Sequence, residues 1–188
     1  MATGAEVIKK YAKASEQTRI NIICKNYSRF SRIIEGRIDG LVFLITEERA
    51  YLRRQEIGDL GVRIQVSGTG DVVGNTVAND EMIRIAIETC SFPDEMLDGS
   101  DYEDEIVEDA YAMKKMRKDY KLFNSMLGVL EPQEREIFLA FLNKKKSLTD
   151  IAEENGIQYD SADRRISRIK HKVIKEMSEY QRKMGNKS

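Results

Sequence analysis

The chain of 188 residues has no tryptophan, one histidine (His171), two cysteines (Cys24 and Cys90) and two prolines (Pro93 and Pro132). Each shortage excludes something. Isolated cysteines with no Cys-x-x-Cys pair, and a single histidine to help them, support neither a zinc site nor a disulfide framework. There is no Gly-x-Ser-x-Gly elbow, no His-Glu-x-x-His and no cysteine with a base beside it to activate it. Carboxylates are plentiful, but they lie in a polar acidic run where nothing raises a pKa toward the range general-acid work requires. Neither an enzyme nor a bound cofactor or metal is expected. No apolar stretch follows Met1 as in a signal peptide, and no uninterrupted apolar run approaches the roughly 20 residues needed to cross a bilayer. The expectation is a cytoplasmic chain with reduced thiols and no membrane partner.

What is abundant is charge. Asp, Glu, Lys and Arg make up 34% of the residues, yet the formal net charge is only -1. The near-zero total hides a partition: residues 132–188 carry 13 basic and 9 acidic side chains, whereas residues 79–112 carry one basic and 12 acidic. Few prolines and a high charge content are typical of helical proteins with polar outer faces, so a mainly α fold is expected, long enough to bury a core unaided.

Along the chain, Ala5 to Ala14 reads as a polar, frayed helix. Ile20, Ile23, Tyr27, Phe30 and Ile34 then recur three and four apart, a helical stripe that would either face the protein's own core or form a dimer seam. Gly36 and Gly40 interrupt it. The apolar run Leu41 to Ile45 fits a buried helix or a strand equally, and Asp39-Gly40 permits a hairpin turn. Residues 57–75 are rich in glycine, with Val62, Ile64 and Val66 alternating as in a short strand. That run lacks the Gly-Lys-Ser/Thr ending of a phosphate loop. Helical composition resumes from Thr76 to Cys90. Nine carboxylates without a base crowd between Asp94 and Asp109, which reads as an acidic linker passing into the acidic first turn of a helix from about Tyr102. A calcium loop would need a regular ligand spacing that Asp94 to Glu105 does not follow. Ala110 to Leu130 reads as a strong helix, and Pro132 suits the first position of the next. These features divide the chain into an N-terminal helical region (1–92), an acidic linker and helix start (93–109) and a C-terminal region (110–188).

The most informative stretch is Ser147 to Met177. Ser147 is placed to cap a short helix, with Asp150 three residues on completing a capping box. Asn155-Gly156 ends that helix at least conformational cost. Ala162, Ile166, Ile169, Val173 and Met177 then recur on one face of a longer helix, and the whole predicts a helix-turn-helix. Off the apolar stripe the second helix is mostly cationic, a face that phosphates favour. Lys144, Lys145 and Lys146 precede the motif and can grip a phosphate backbone. Gln158, Tyr159, Asp160, Ser161, Arg164 and Arg165 lie near the start of the second helix, where side chains reach base edges, with Arg168 and Lys172 further along. Arg165 adjoins the apolar face more closely than Arg164, so Arg164 is the better base reader and Arg165 the better phosphate or intramolecular partner. An ordinary bundle with a solvated basic helix is the bland alternative.

Residues 127–177 resemble region 4 of the sigma-70 family. The likeness rests on Leu127 and Leu130, the run Gln133 to Phe138, Ser147-Leu148, and Ile151 through Ile157, although Gln158 and Ala162 stand where the family usually has Ser or Thr and Val. Gly61 to Gly68, followed by an Asn/Thr-rich helix start, is similar to the segment before the helix-turn-helix in phage and prophage late-gene regulators of the ArpU and RinA type. These resemblances imply a sigma-region-4-like bundle that binds double-stranded promoter DNA, activates phage or prophage genes, and has RNA polymerase and a second copy of itself as further partners. A complete alternative sigma factor is one other reading, for which Tyr27, Arg29, Phe30 and Arg32 are a faint promoter-opening cluster. A DNA-packaging or nucleoid-type protein using the same motif is another.

Overall fold

In the computed structural model, which describes residues 2–59 and 72–185, the chain is all-helical among the described residues. The order is α1 (Gly4–Ala12), α2 (Glu16–Asn26), a single 3-10 turn (Tyr27–Arg29), α3 (Phe30–Asp59), α4 (Val72–Thr89), α5 (Glu103–Met126), a second 3-10 turn (Leu127–Val129), α6 (Pro132–Leu142), α7 (Leu148–Glu154) and α8 (Tyr159–Gly185). A mainly α fold is what the composition predicts. The strand expected around Val62 to Val66, and the segment that carries the likeness to the phage regulators, lie outside the described residues. No described helix is long and apolar enough to cross a membrane.

The chain divides into two compact units, Met1–Ala12 with Arg32–Lys114, and Lys13–Ser31 with Lys115–Ser188. Residues 13–31 thus belong with the C-terminal helices, whereas a linear segmentation divides the chain after 92 and after 109. By sequence the first unit carries 10 basic and 20 acidic residues and the second 21 basic and 12 acidic, giving net charges of -10 and +9. The charge partition is therefore a property of the folded units, sharper than the linear sums suggest.

In the first unit α1 is no frayed polar segment, because Val7, Ile8 and Tyr11 are buried along one of its faces. They join Ile34, Ile38, Leu41 and Ile45 of α3, Ile83 and Ile87 of α4, and Ile106 and Ala110 of α5 in the core. The buried stripe of α3 continues straight past Gly36 and Gly40, so neither a hairpin nor a strand forms there. Each helical glycine costs about 1 kcal/mol relative to alanine, less than the burial of the four apolar residues around them contributes. The acidic stretch also departs from a bare linker. Met96 and Leu97 are buried, Ser100 Oγ donates to Glu48 Oε2 at 2.6 Å, and the Asp101 amide donates to Glu48 Oε1 at 3.2 Å. Two of its nine carboxylates, Glu105 and Asp109, also have counter-ions. Arg37 of α3 pairs with Glu105 at 2.9 Å and with the buried Asp109 at 2.5 Å, and Lys9 of α1 pairs with Glu105 at 3.2 Å. Lys9 and Arg37 together hold the Glu105 carboxyl below its usual range. The sequence conceals these partners because they lie on other helices.

In the second unit the N-terminal stripe is buried, as its core-facing reading requires, at Ile20, Ile23 and Phe30. It is not one helix. α2 stops at Asn26, whose buried side chain accepts from Arg29 Nε and donates to the Ile22 carbonyl, and the chain turns through Tyr27–Arg29 before α3. Phe30 stacks on Tyr120 with ring centroids 5.0 Å apart, and Tyr27 packs against Tyr120 and Phe123. Arg19 and the buried Asp119 pair at 3.1 Å, with Gln181 donating to the same carboxylate at 3.3 Å. The Tyr27 hydroxyl donates to Asn124 Oδ1 at 2.7 Å, and burial, helped by Tyr120, pushes its pKa from 10 up to about 12. A raised folded-state pKa means the stabilisation is complete below pH 10 and is lost as pH rises toward 12. Ultraviolet titration at alkaline pH should show Tyr27 among the tyrosines that ionise late, coincident with loss of structure. That late step should lose amplitude in Tyr27→Phe.

Candidate nucleic-acid interface

The local chemistry of α7 follows the sequence closely. Ser147 Oγ accepts from the Asp150 amide at 3.2 Å while the Asp150 carboxylate accepts from the Ser147 amide at 2.7 Å, completing the capping box. These bonds hold the Asp150 carboxyl below its ordinary range. At the other end Gly156 has φ +62, its amide donates to the Glu153 carbonyl at 3.2 Å, and the Ile157 amide reaches the Ala152 carbonyl at 3.0 Å. This pair of bonds is the Schellman arrangement, which needs a left-handed residue where glycine sits without penalty. Two residues later α8 begins, its first turn anchored by the Gln158 carbonyl, which accepts from the amides of Ser161 and Ala162. A seven-residue helix is marginal alone. Burial of Ile151 and Ala152, in extensive contact with α8, stabilises it.

α8 divides cleanly. Ala162, Ile166, Ile169, Val173 and Met177 are all buried. At about 100° per residue, Arg164 projects roughly opposite this stripe. Ser161, Arg164, Ser167, Arg168, His171, Lys172 and Lys175 together line an open, shallow strip on the outward face. No carboxylate belongs to it. Ser161, Arg164, Arg168 and Lys172 are thus brought together as the spacing predicts, and Ser167, His171 and Lys175 extend the strip at the same helical interval. That extension is legible in the sequence as the 164, 168, 171, 175 repeat.

The other expected contacts separate. Arg165 is half-buried and its Nη1 donates to Asn155 Oδ1 at 3.0 Å, so it ties the turn to α8. This is the intramolecular one of the two roles, phosphate or intramolecular partner, expected for it. Lys172 reaches Glu134 of α6 with contacts of 2.7 and 2.9 Å, and Lys146 is paired with Glu154 at 2.5 Å, so both already have counter-ions. Lys144, with φ +57, and Lys146 face a cleft beside α2 and α6 instead of the outward strip. Lys145, Gln158, Tyr159 and Asp160 are exposed around the motif. Among the described residues Arg164 and Lys175 have no carboxylate partner, while Arg168 Nε makes a long 3.4 Å contact to the Arg164 carbonyl. The outward strip therefore holds two cations, Arg164 and Lys175, without a carboxylate partner among the described residues. No group of three or more potential metal ligands occurs among the described residues. Comparison with known proteins finds no matching family model, no matching curated protein and no matching solved structure.

Proposed function

We propose that the chain is a sequence-specific DNA-binding transcription regulator that lays the N-terminal half of α8 in the major groove of promoter DNA. The observation that carries this reading is the outward strip of α8, cationic and free of carboxylates, held by a capped short helix and a glycine turn. The charge of +9 on its unit favours the phosphate backbone without any base contact. Arg164 and Ser161 stand within the first two turns, where a recognition helix meets base edges. The likeness to sigma-70 region 4 and to the ArpU and RinA type regulators adds phage or prophage promoters as targets, with RNA polymerase and a homodimer as partners of the remaining helices. A promoter-opening role, as in a complete sigma factor, is less well served: Phe30 is fully buried and Tyr27 is bonded within the aromatic cluster.

Salt-dependent titration of a labelled duplex tests the reading. Arg168→Ala and Lys175→Ala should each weaken binding to every sequence and lower the salt slope by about one. Lys172→Ala should do less, since Lys172 must leave Glu134 to meet a phosphate. An unchanged slope after Arg164, Arg168 and Lys175 are all replaced would remove α8 as the contact surface.

A further inference from the structure

A second feature of the same unit is unrelated to base reading. Between α2, α6 and α8 lies a cleft of about 480 Å³, within the size range of small-molecule sites. Its apolar surface comes from Phe138, Phe141 and Ile166, and Lys25, Lys144 and Lys170 stand around it. No carboxylate lines it. None of these three lysines has an ion pair among the described residues, and Lys170 is half-buried. Three lysines around one cleft with no carboxylate favour an anion there. Of the floor, Phe141 is partly exposed, while Phe138 and Ile166 are already buried.

We propose that this cleft binds a small amphipathic anion, a molecule with an apolar body and one carboxylate or sulfonate head. The body lies on Phe141, and the head meets the lysine ammoniums in charge-assisted hydrogen bonds. A DNA phosphate satisfies only half of this site, since a phosphodiester has no apolar body to lay on the aromatic floor. Lys146 also reaches the cleft but is held by Glu154. Cys24 lines the wall, and burial, opposed by Lys170, pushes its thiol up to about 11. It is therefore uncharged at neutral pH and alkylates slowly, so its alkylation at alkaline pH reports on occupancy. The proposal stands independently of the DNA reading.

The test uses the full chain carrying Cys90→Ser, so that Cys24 is the single thiol, with decanoate and 1-naphthoate as probes. Calorimetry should show saturable binding of at least one probe, and that probe should slow alkylation of Cys24 by iodoacetamide. Decyltrimethylammonium, equally apolar but cationic, should do neither. Lys25→Gln with Lys170→Gln should weaken the anion about tenfold, as expected for losing a charge-assisted contact, with an unchanged melting temperature. No saturable binding, equal protection by the cationic probe, or affinity indifferent to the two lysines would each overturn the proposal. Protection of Cys24 by duplex DNA but by neither anion would assign the lysines to phosphate contact and overturn it as well.

Discussion

Arg37→Met is expected to destabilise the first unit by about 3 to 5 kcal/mol, because it leaves Asp109 as a buried charge without its partner. The Asp109 side chain is 5% exposed and its Oδ2 lies 2.5 Å from Arg37 Nε, while the same guanidinium also holds Glu105. Removing the cation leaves the burial and takes away its compensation. Asp109→Asn alone should cost less, and the double variant Arg37→Met with Asp109→Asn should recover much of the loss, since no uncompensated carboxylate then remains at that site. Urea denaturation reads this as a fall in midpoint for the single variant that is partly reversed in the double. Equal losses in both would mean that packing of the arginine stem, and not charge, stabilises the pair.

Legibility in the sequence followed the range of the interactions. The capping box at Ser147 and Asp150, the glycine turn at Gly156 and the buried stripe from Ala162 to Met177 depend on neighbours within a few residues, so a local pattern suffices to place them. The α8 strip is legible for the same reason, being a helical repeat on one element. Features that need a distant partner were not. Lys172 looks like a free phosphate contact until α6 brings Glu134 to it, and the acidic run looks bare until Arg37 and Lys9 arrive from α3 and α1. The break after Asn26 was hidden because a buried, hydrogen-bonded asparagine can end a helix inside an otherwise continuous apolar period. Gly36 and Gly40 misled in the opposite direction, since tertiary burial outweighed their local propensity. The cleft with Lys25 had no sequence signal, because α2 is far from α6 and α8 along the chain.

Binding-site selection from a random duplex library, run with the unaltered chain and with Arg164→Ala and Arg168→Ala, tests the DNA reading most directly. Arg164 is exposed opposite the buried stripe and has no ion pair among the described residues, whereas Arg165 is engaged with Asn155. Arg164 is therefore the arginine free to offer two hydrogen bonds to guanine O6 and N7. The unaltered chain should enrich one motif. Arg164→Ala should relax a single base position by roughly 1 to 3 kcal/mol, and Arg168→Ala should keep the motif while weakening every site alike. A library that yields no motif with the unaltered chain, or the same motif and affinity with all three proteins, would contradict the assignment of α8 as a DNA-reading helix.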